Sequence, residues 1–385
     1  MHDKLAHKRW TRRFVFLSLL LLVVAGLLVF SVDPLQHYRR ATLYHPLWGN
    51  ERYYNPGFVK HYDYDCIIIG TSMVENFIPS EVGRRLSARV LLAPLSGGSP
   101  YEEHVLLNTA LRTGKVKAVI WGLDLSEFGR GMKRLRHGPG SFPFYLYDGN
   151  PFNDYQYLMN IDVLLKDCWD ALAANLPGGK ANRALDVDSV HFWGDQFRFS
   201  RETTLRNWQE PQREHRALLE TNRPRLDSME SDFDANVIPL VERHPEVQYY
   251  FFHPPYSILY WINADKYRLG TFLEFKRYVF SRTRGLQNVK VFDFQDIGDI
   301  TLNLDNYKDY SHYSPDVSKF IIDAISKNQY LVTDDNAEEK ISRIESQVRR
   351  FTDSLDAVES TESPNAQQSQ SHGQPKRQDA EDLDR

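Results

Sequence analysis

Only two cysteines, Cys66 and Cys168, stand in 385 residues. So few sulfurs exclude a disulfide-stapled scaffold, while a single bridge between the two stays open, since spacing does not show proximity. There is no His-Glu-x-x-His helix and no Cys/His cluster, so no catalytic metal is expected. No Gly-rich phosphate loop follows a strand, and no cofactor is expected. An excess of positive charge is also missing: 47 Lys and Arg face 51 Asp and Glu, a formal net charge of −4. That balance removes nucleic acid as a main partner.

Charge is absent altogether from one stretch. Residues 14–32, FVFLSLLLLVVAGLLVFSV, contain no ionisable side chain. Nineteen residues of helix approach the roughly 20 that cross a bilayer. The run exceeds an ordinary signal-peptide core and no small-x-small cleavage site follows it, so it reads as a single uncleaved signal anchor. A long cleaved signal peptide is the alternative. The basic segment 1–13, with Lys4, Lys8, Arg9, Arg12 and Arg13, places the N-terminus in the cytoplasm and everything after Asp33 outside.

Residues 33–62 form an aromatic-rich, membrane-proximal connection. From Asp63 the pattern alternates. DCIIIG, RVLLAPL and VKAVIWGLDL read as strands with little internal alternation, as when both faces of a sheet are covered. IPSEVGRRLSA and PYEEHVLLNTALRTG read as the helices between them. This alternation predicts an α/β domain over 63–332 with a mostly parallel sheet. It is interrupted at about 129–235 by a basic, aromatic insertion with helices near 161–175 and 211–222. Alternation resumes with VQYYFFHPPYS, a helix and NVKVFDF, and closes on DYSHYSPDVSKFIIDAISKN. In residues 333–358 Ile341, Ile344, Val348, Phe351, Leu355 and Val358 recur at spacings of three and four. Such a stripe suits a helix docked on its own domain or a short coiled coil that joins two copies. Residues 359–385 are polar, of a composition that favours disorder.

One serine stands out. In DYDCIIIGTSMVENF the first strand delivers Ser72 into a tight turn at the carboxyl edge of the sheet, where ligands of open parallel sheets bind. A helix cap is the plain explanation. A nucleophile is the other, and it needs a base. The final loop offers one: in Asp309-Tyr310-Ser311-His312 the spacing of three puts both side chains on one face of a turn, so that Asp309 orients His312 and His312 takes the serine proton. HPPYS ends the fourth strand at the same edge, which makes His253 and Tyr256 candidate pocket residues. There too, Pro-Pro as a strand stop is the plain alternative.

The order of Gly70-Thr71-Ser72 at the first strand and Asp309 and His312 before the last helix resembles the SGNH (GDSL-like) hydrolase superfamily. More narrowly, it is similar to membrane-anchored periplasmic SGNH-like proteins of bacterial exopolysaccharide O-acetylation. The resemblance covers about 63–128 and 245–327. It implies a three-layer α/β/α flavodoxin-like domain, held by the N-terminal helix in the inner membrane and facing the periplasm. It implies Ser72, His312 and Asp309 as catalytic residues and Gly97 or Gly98 of the SGGS turn as a backbone donor to an oxyanion. The implied activity is acyl transfer to a glycan, with hydrolysis of an acyl ester or a non-catalytic scaffold as alternatives. The implied partners are the glycan or acyl-ester substrate and an acyl-donor membrane protein. The family places an Asn after the third strand as a further oxyanion donor, whereas this chain has Asp124. An ionised carboxylate repels an oxyanion. Either Asp124 faces away and another donor such as Asn76 serves, or the site is impaired.

Overall fold

The computed structural model describes residues 2–42, 44, 48–177, 186–209, 224–265 and 268–362. Strands β1 (Cys66–Ile69), β2 (Val90–Leu92), β3 (Ala118–Gly122), β4 (Gln248–His253) and β5 (Val289–Asp293) form one parallel sheet in the order β2-β1-β3-β4-β5. The register sets Ile68 between Leu92 and Ile120, and Phe252 between Gly122 and Phe292. All four residues of β1 are buried, which is why the strand is an unbroken apolar run rather than an alternating one.

Crossovers begin and end on local chemistry. Helix α1 (His2–Val32) is followed by α2 (Glu51–His61), which starts on the Asn50 side chain accepting from the Arg52 N–H. Helix α3 (Pro79–Leu86) links β1 to β2 and stops at Ser87, whose φ of 53° is left-handed. Helix α4 (Pro100–Leu111) links β2 to β3. It opens with Pro100 behind a reciprocal capping box between Ser99 and Glu102. Glu102 is fully buried and is paired at 2.9 Å by Arg52 of α2, tying the membrane-proximal connection to the domain.

Between β3 and β4 the chain leaves the alternation for more than a hundred residues. The described part holds short helices, a π turn at Val163–Asp167 continued by the helix Cys168–Ala174, and the helix Leu226–Asn236, which packs on α4 and on the helix Leu269–Thr283. The segment 211–222 lies outside the described residues, as does 363–385. Cys66 and Cys168 are both buried as free thiols, so the open question of a bridge resolves against one.

The first half of the helix Ala337–Glu362 follows the first of the two readings of its stripe, docking on its own domain. Ile341, Ile344 and Val348 are buried against the chain's own helices Ile258–Asp265 and Leu269–Thr283. Lys340 joins Asp296 at 2.8 Å, and Gln347 donates to the Asp296 carbonyl. Over Ile341–Val348 the apolar stripe is therefore covered from within. The side chains of Leu355 and Val358 lie outside the described residues.

At the other end, α1 contains the one helical stretch, His7–Val32, that is long and apolar enough to cross a membrane among the described residues.

Candidate active site

β1 runs out at Ile69 into Gly70, whose φ is +149°. A Cβ at Gly70 would stand 3.0 Å from Val74 and 3.2 Å from the Gly122 carbonyl, so only glycine lets the loop after β1 close against the end of β3. Thr71 and Ser72 then separate two roles. Thr71 caps the short turn Ser72–Val74, its Oγ1 accepting from the Met73 N–H at 3.4 Å and donating to Asp124 at 2.9 Å. The Ser72 hydroxyl is thereby left for another partner. Its Oγ lies 2.9 Å from His312 Nε2.

His312 stands on the loop between β5 and the helix Pro315–Ser326. An antiparallel bridge between Tyr307 and Tyr313 closes that loop, and the Tyr313 hydroxyl donates to the Met73 carbonyl, which pins the histidine loop to the serine loop. Asp309 folds the turn: its Oδ1 accepts from the Ser311 and His312 N–H groups at 2.9 and 2.8 Å, and its Oδ2 stands 2.8 Å from His312 Nδ1. Desolvation pushes the Asp309 carboxyl up, but the His312 ring and these two backbone donors outweigh it and hold the group well below the usual carboxylate range. An ionised Asp309 on Nδ1 fixes the tautomer that leaves Nε2 open to the serine proton.

The three residues stand at the carboxyl edge of the sheet, where the strand order reverses between β1 and β3. Ser72 and His312 line an open cleft of about 1150 Å³. Its walls come from the β1, β2 and β3 loops, the insertion, and the loop after β4.

Asp124 lines this cleft and does not face away. It accepts four hydrogen bonds: Tyr256 Oη and the Ser126 N–H and Oγ donate to Oδ1 at 2.6, 3.1 and 2.8 Å, and Thr71 Oγ1 donates to Oδ2 at 2.9 Å. The carboxylate is a knot that ties the loops after β1, β3 and β4 together. Tyr256 is the rope from β4; its hydroxyl also accepts from the Leu125 N–H.

The other sequence candidates divide. Gly97, with φ +55°, lines the cleft beneath the Arg136 guanidinium. Leu95 anchors this turn next to the serine by donating its N–H to the Gly70 carbonyl at 2.8 Å. Among the described residues the N–H groups of Ser72 and Gly97, both of which line the cleft, donate to no other group. Gly98 is not one of them, because its N–H donates to Leu95 O at 2.6 Å. Asn76 is buried and does not line the cleft; its Oδ1 accepts from the Trp193 N–H, while its Nδ2 finds no partner among the described residues. His253 belongs to a separate pocket: it pairs in register with Asp293 of β5, beside Lys276, and burial drives its pKa down to about 4. Tyr256 is in the cleft and His253 is not.

Several residues of the site carry no motif. Trp193, in the insertion, meets the His312 ring edge-on at 5.8 Å and donates its indole N–H to Glu75 at 2.7 Å. Lys308 sets its ammonium 3.9 Å from the Trp193 and Phe197 ring centroids, a cation–π clasp at the rim. Glu75 is buried, and desolvation followed by the charge of Glu51 lifts its pKa to about 7. The only available signal was the aromatic run HFWGDQF inside an insertion too long for an idle loop.

Fold and site together define an α/β protein with a parallel sheet and a serine–histidine–aspartate relay at its carboxyl edge. No model of a known protein family matches this chain, and no curated protein matches it.

Proposed function

We propose that this chain is a membrane-anchored, extracytoplasmic serine acyltransferase of SGNH type, which O-acetylates an acidic surface polysaccharide. The observation that carries the reading is the unbroken relay Ser72 Oγ–His312–Asp309 opening on a large cleft. The strand order 2-1-3-4-5 is that of flavodoxin-like sheets and supports the three-layer arrangement of the SGNH group. The basic residues ahead of the apolar helix support a cytoplasmic N-terminus in the inner membrane, with the catalytic domain in the periplasm.

The chemistry follows from the geometry. His312 Nε2 takes the Ser72 proton as Oγ attacks the acyl carbonyl of a donor ester. Negative charge on the carbonyl oxygen is met by the Ser72 and Gly97 N–H groups, the kind of aimed backbone donor worth about 3 kcal/mol in a transition state. The tetrahedral adduct collapses, the donor alcohol leaves with the proton from His312, and the acyl group stays on Oγ. A sugar hydroxyl then attacks the acyl-enzyme while His312 takes its proton. Collapse releases the O-acyl sugar and returns that proton to Ser72. With water in place of the sugar the same steps are ester hydrolysis.

Cleft charge supports the acidic acceptor. Arg130, Arg134, Arg136, Arg268 and Lys308 line it against Glu75, Asp124 and Glu127. Glu127 pairs with Arg134, while the Arg136 guanidinium forms no ion pair among the described residues and lies directly over Gly97. The cleft thus offers a carboxylated or phosphorylated sugar a cation beside the nucleophile. The donor would come from an acyl-carrying membrane protein in the same bilayer. To test this, full-length protein is supplied with an activated acetyl ester and acidic or neutral oligosaccharides. Acetylated acidic sugar that disappears in Ser72→Ala supports the proposal; free acetate alone, equal with and without acceptor, identifies an esterase instead.

A further inference from the structure

The insertion carries an apolar face that the core does not use. Through and around the π turn, Ile161, Leu165, Trp169, Leu172 and Leu176 recur at intervals of four, four, three and four, and all are exposed, Leu165 at 66% and Trp169 at 64%. The opposite side of the same helix is buried through Val163, Cys168 and Ala171. Asp162, Lys166 and Asp170 form a third, exposed polar strip. A soluble helix has one apolar stripe; this one has two, and only one is covered by protein.

What lies beside it identifies the occupant. The residues just before the π turn, Leu158 and Met159, pack against α1 at Gly26: a Cβ there would stand 3.2 Å from the Met159 Cε. The π turn and the helix Cys168–Ala174 also contact α1. Gly26 is six residues short of Val32, about 9 Å along a helix. The uncharged run 14–32 is about 28 Å long as a helix, barely the roughly 30 Å of a hydrocarbon core. The anchor has no length to spare, so Gly26 sits inside the bilayer, and so does whatever packs on it. Nor is the anchor a loose tether. Arg39 donates to the Phe30 and Ser31 carbonyls at its end, and Asp33 accepts from the backbone of His37, Tyr38 and Arg39 and from the Tyr157 hydroxyl.

We infer that residues 152–176 form a second membrane element, a half-embedded helical segment whose Ile161–Leu176 face lies in the lipid leaflet nearest the folded domain. The Asp162–Asp170 strip turns to water. Together with α1 the segment holds the domain in one orientation on the bilayer, whatever chemistry Ser72 performs.

The test uses full-length protein in phosphatidylcholine nanodiscs. Nitroxide is attached at Leu165→Cys, at Trp169→Cys and, as a water-exposed control, at Asp316→Cys, the native thiols being buried. Collision with dissolved oxygen is compared with collision with a Ni(II) chelate. The inference expects oxygen to dominate several-fold at 165 and 169 and the chelate to dominate at 316. Chelate-dominated collision at all three sites overturns it. So does low access to both reagents at 165 and 169, which means that protein, a partner or a second copy, covers the face. Unlabelled protein gives an independent reading: in brominated phosphatidylcholine, Trp169→Phe should reduce the lipid-quenched share of tryptophan emission, and an unchanged share counts against the inference.

Discussion

Thr71 and Ser72 are neighbours with different duties, and the difference decides how the opening turn is understood. A hydroxyl that caps a helix is occupied, and here Thr71 is the occupied one. Asp124 has a similar double reading. From the sequence it is a negative charge where an amide belongs; in the structure it accepts four hydrogen bonds and holds three loops in place. Asp124→Asn keeps an acceptor oxygen for Tyr256 and Ser126 and is expected to fold and to retain serine reactivity. Asp124→Ala strands the buried Tyr256 hydroxyl, a loss of roughly 1–3 kcal/mol for that group alone, and loosens the relay; thermal denaturation with esterase assays compares the two. Glu75 makes a pH prediction. Its folded pKa of about 7 exceeds the unfolded 4.5, so the native state binds the extra proton between those values and stability falls as pH rises through that window. Relative to the native chain, Glu75→Gln should therefore gain stability from pH 4.5 to 7.5, by roughly 2–3 kcal/mol, when urea midpoints are compared. A constant offset across that range would contradict it.

At the scale of elements, legibility follows burial geometry. The five strands were readable because parallel strands covered on both faces tend to be apolar runs, unbroken in Cys66–Ile69 and confined to the middle four residues of Gln248–His253. Asp309 and His312 were readable because three residues of one turn suffice to set them. What no local pattern reports is which side of the sheet a residue at a strand end serves: His253 closes β4 beside β5 and meets Asp293 and Lys276, while Tyr256, past the two prolines, reaches Asp124. Trp193 and Lys308 were illegible for the same reason, since their roles exist only when the insertion folds over the last loop. The stripe of the C-terminal helix was readable as amphipathic, but the spacing alone left its own domain and a second copy open as partners. Because the partner is the chain's own domain, Ile344→Ala should cost roughly 2–4 kcal/mol, with a denaturation midpoint independent of protein concentration. A midpoint that rises with concentration would restore the stripe as an interface between copies.

Over the whole molecule, a formal charge of −4 conceals a cleft lined by five cations and three carboxylates outside the relay. Charge of this kind acts through the binding of an acidic acceptor, so salt and Arg136→Ala should each raise KM for a carboxylated oligosaccharide, the substitution by about tenfold, and leave kcat largely unchanged. An equal effect on a neutral oligosaccharide would mean that Arg136 shapes the Gly97 turn rather than reading charge. The anchor and the insertion fix where the cleft is presented; the relay decides whether it is an enzyme at all. The most direct test is stoichiometric labelling of the full-length protein with a fluorophosphonate, followed by mass-spectrometric mapping of the adduct. The geometry predicts one adduct per chain on Ser72, absent in Ser72→Ala and formed far more slowly in His312→Ala, with Asp309→Asn slowed by roughly 10³–10⁴-fold. A folded protein that takes no label, or a Ser72→Ala variant that labels as well as the native chain, would show that Ser72 is not a nucleophile.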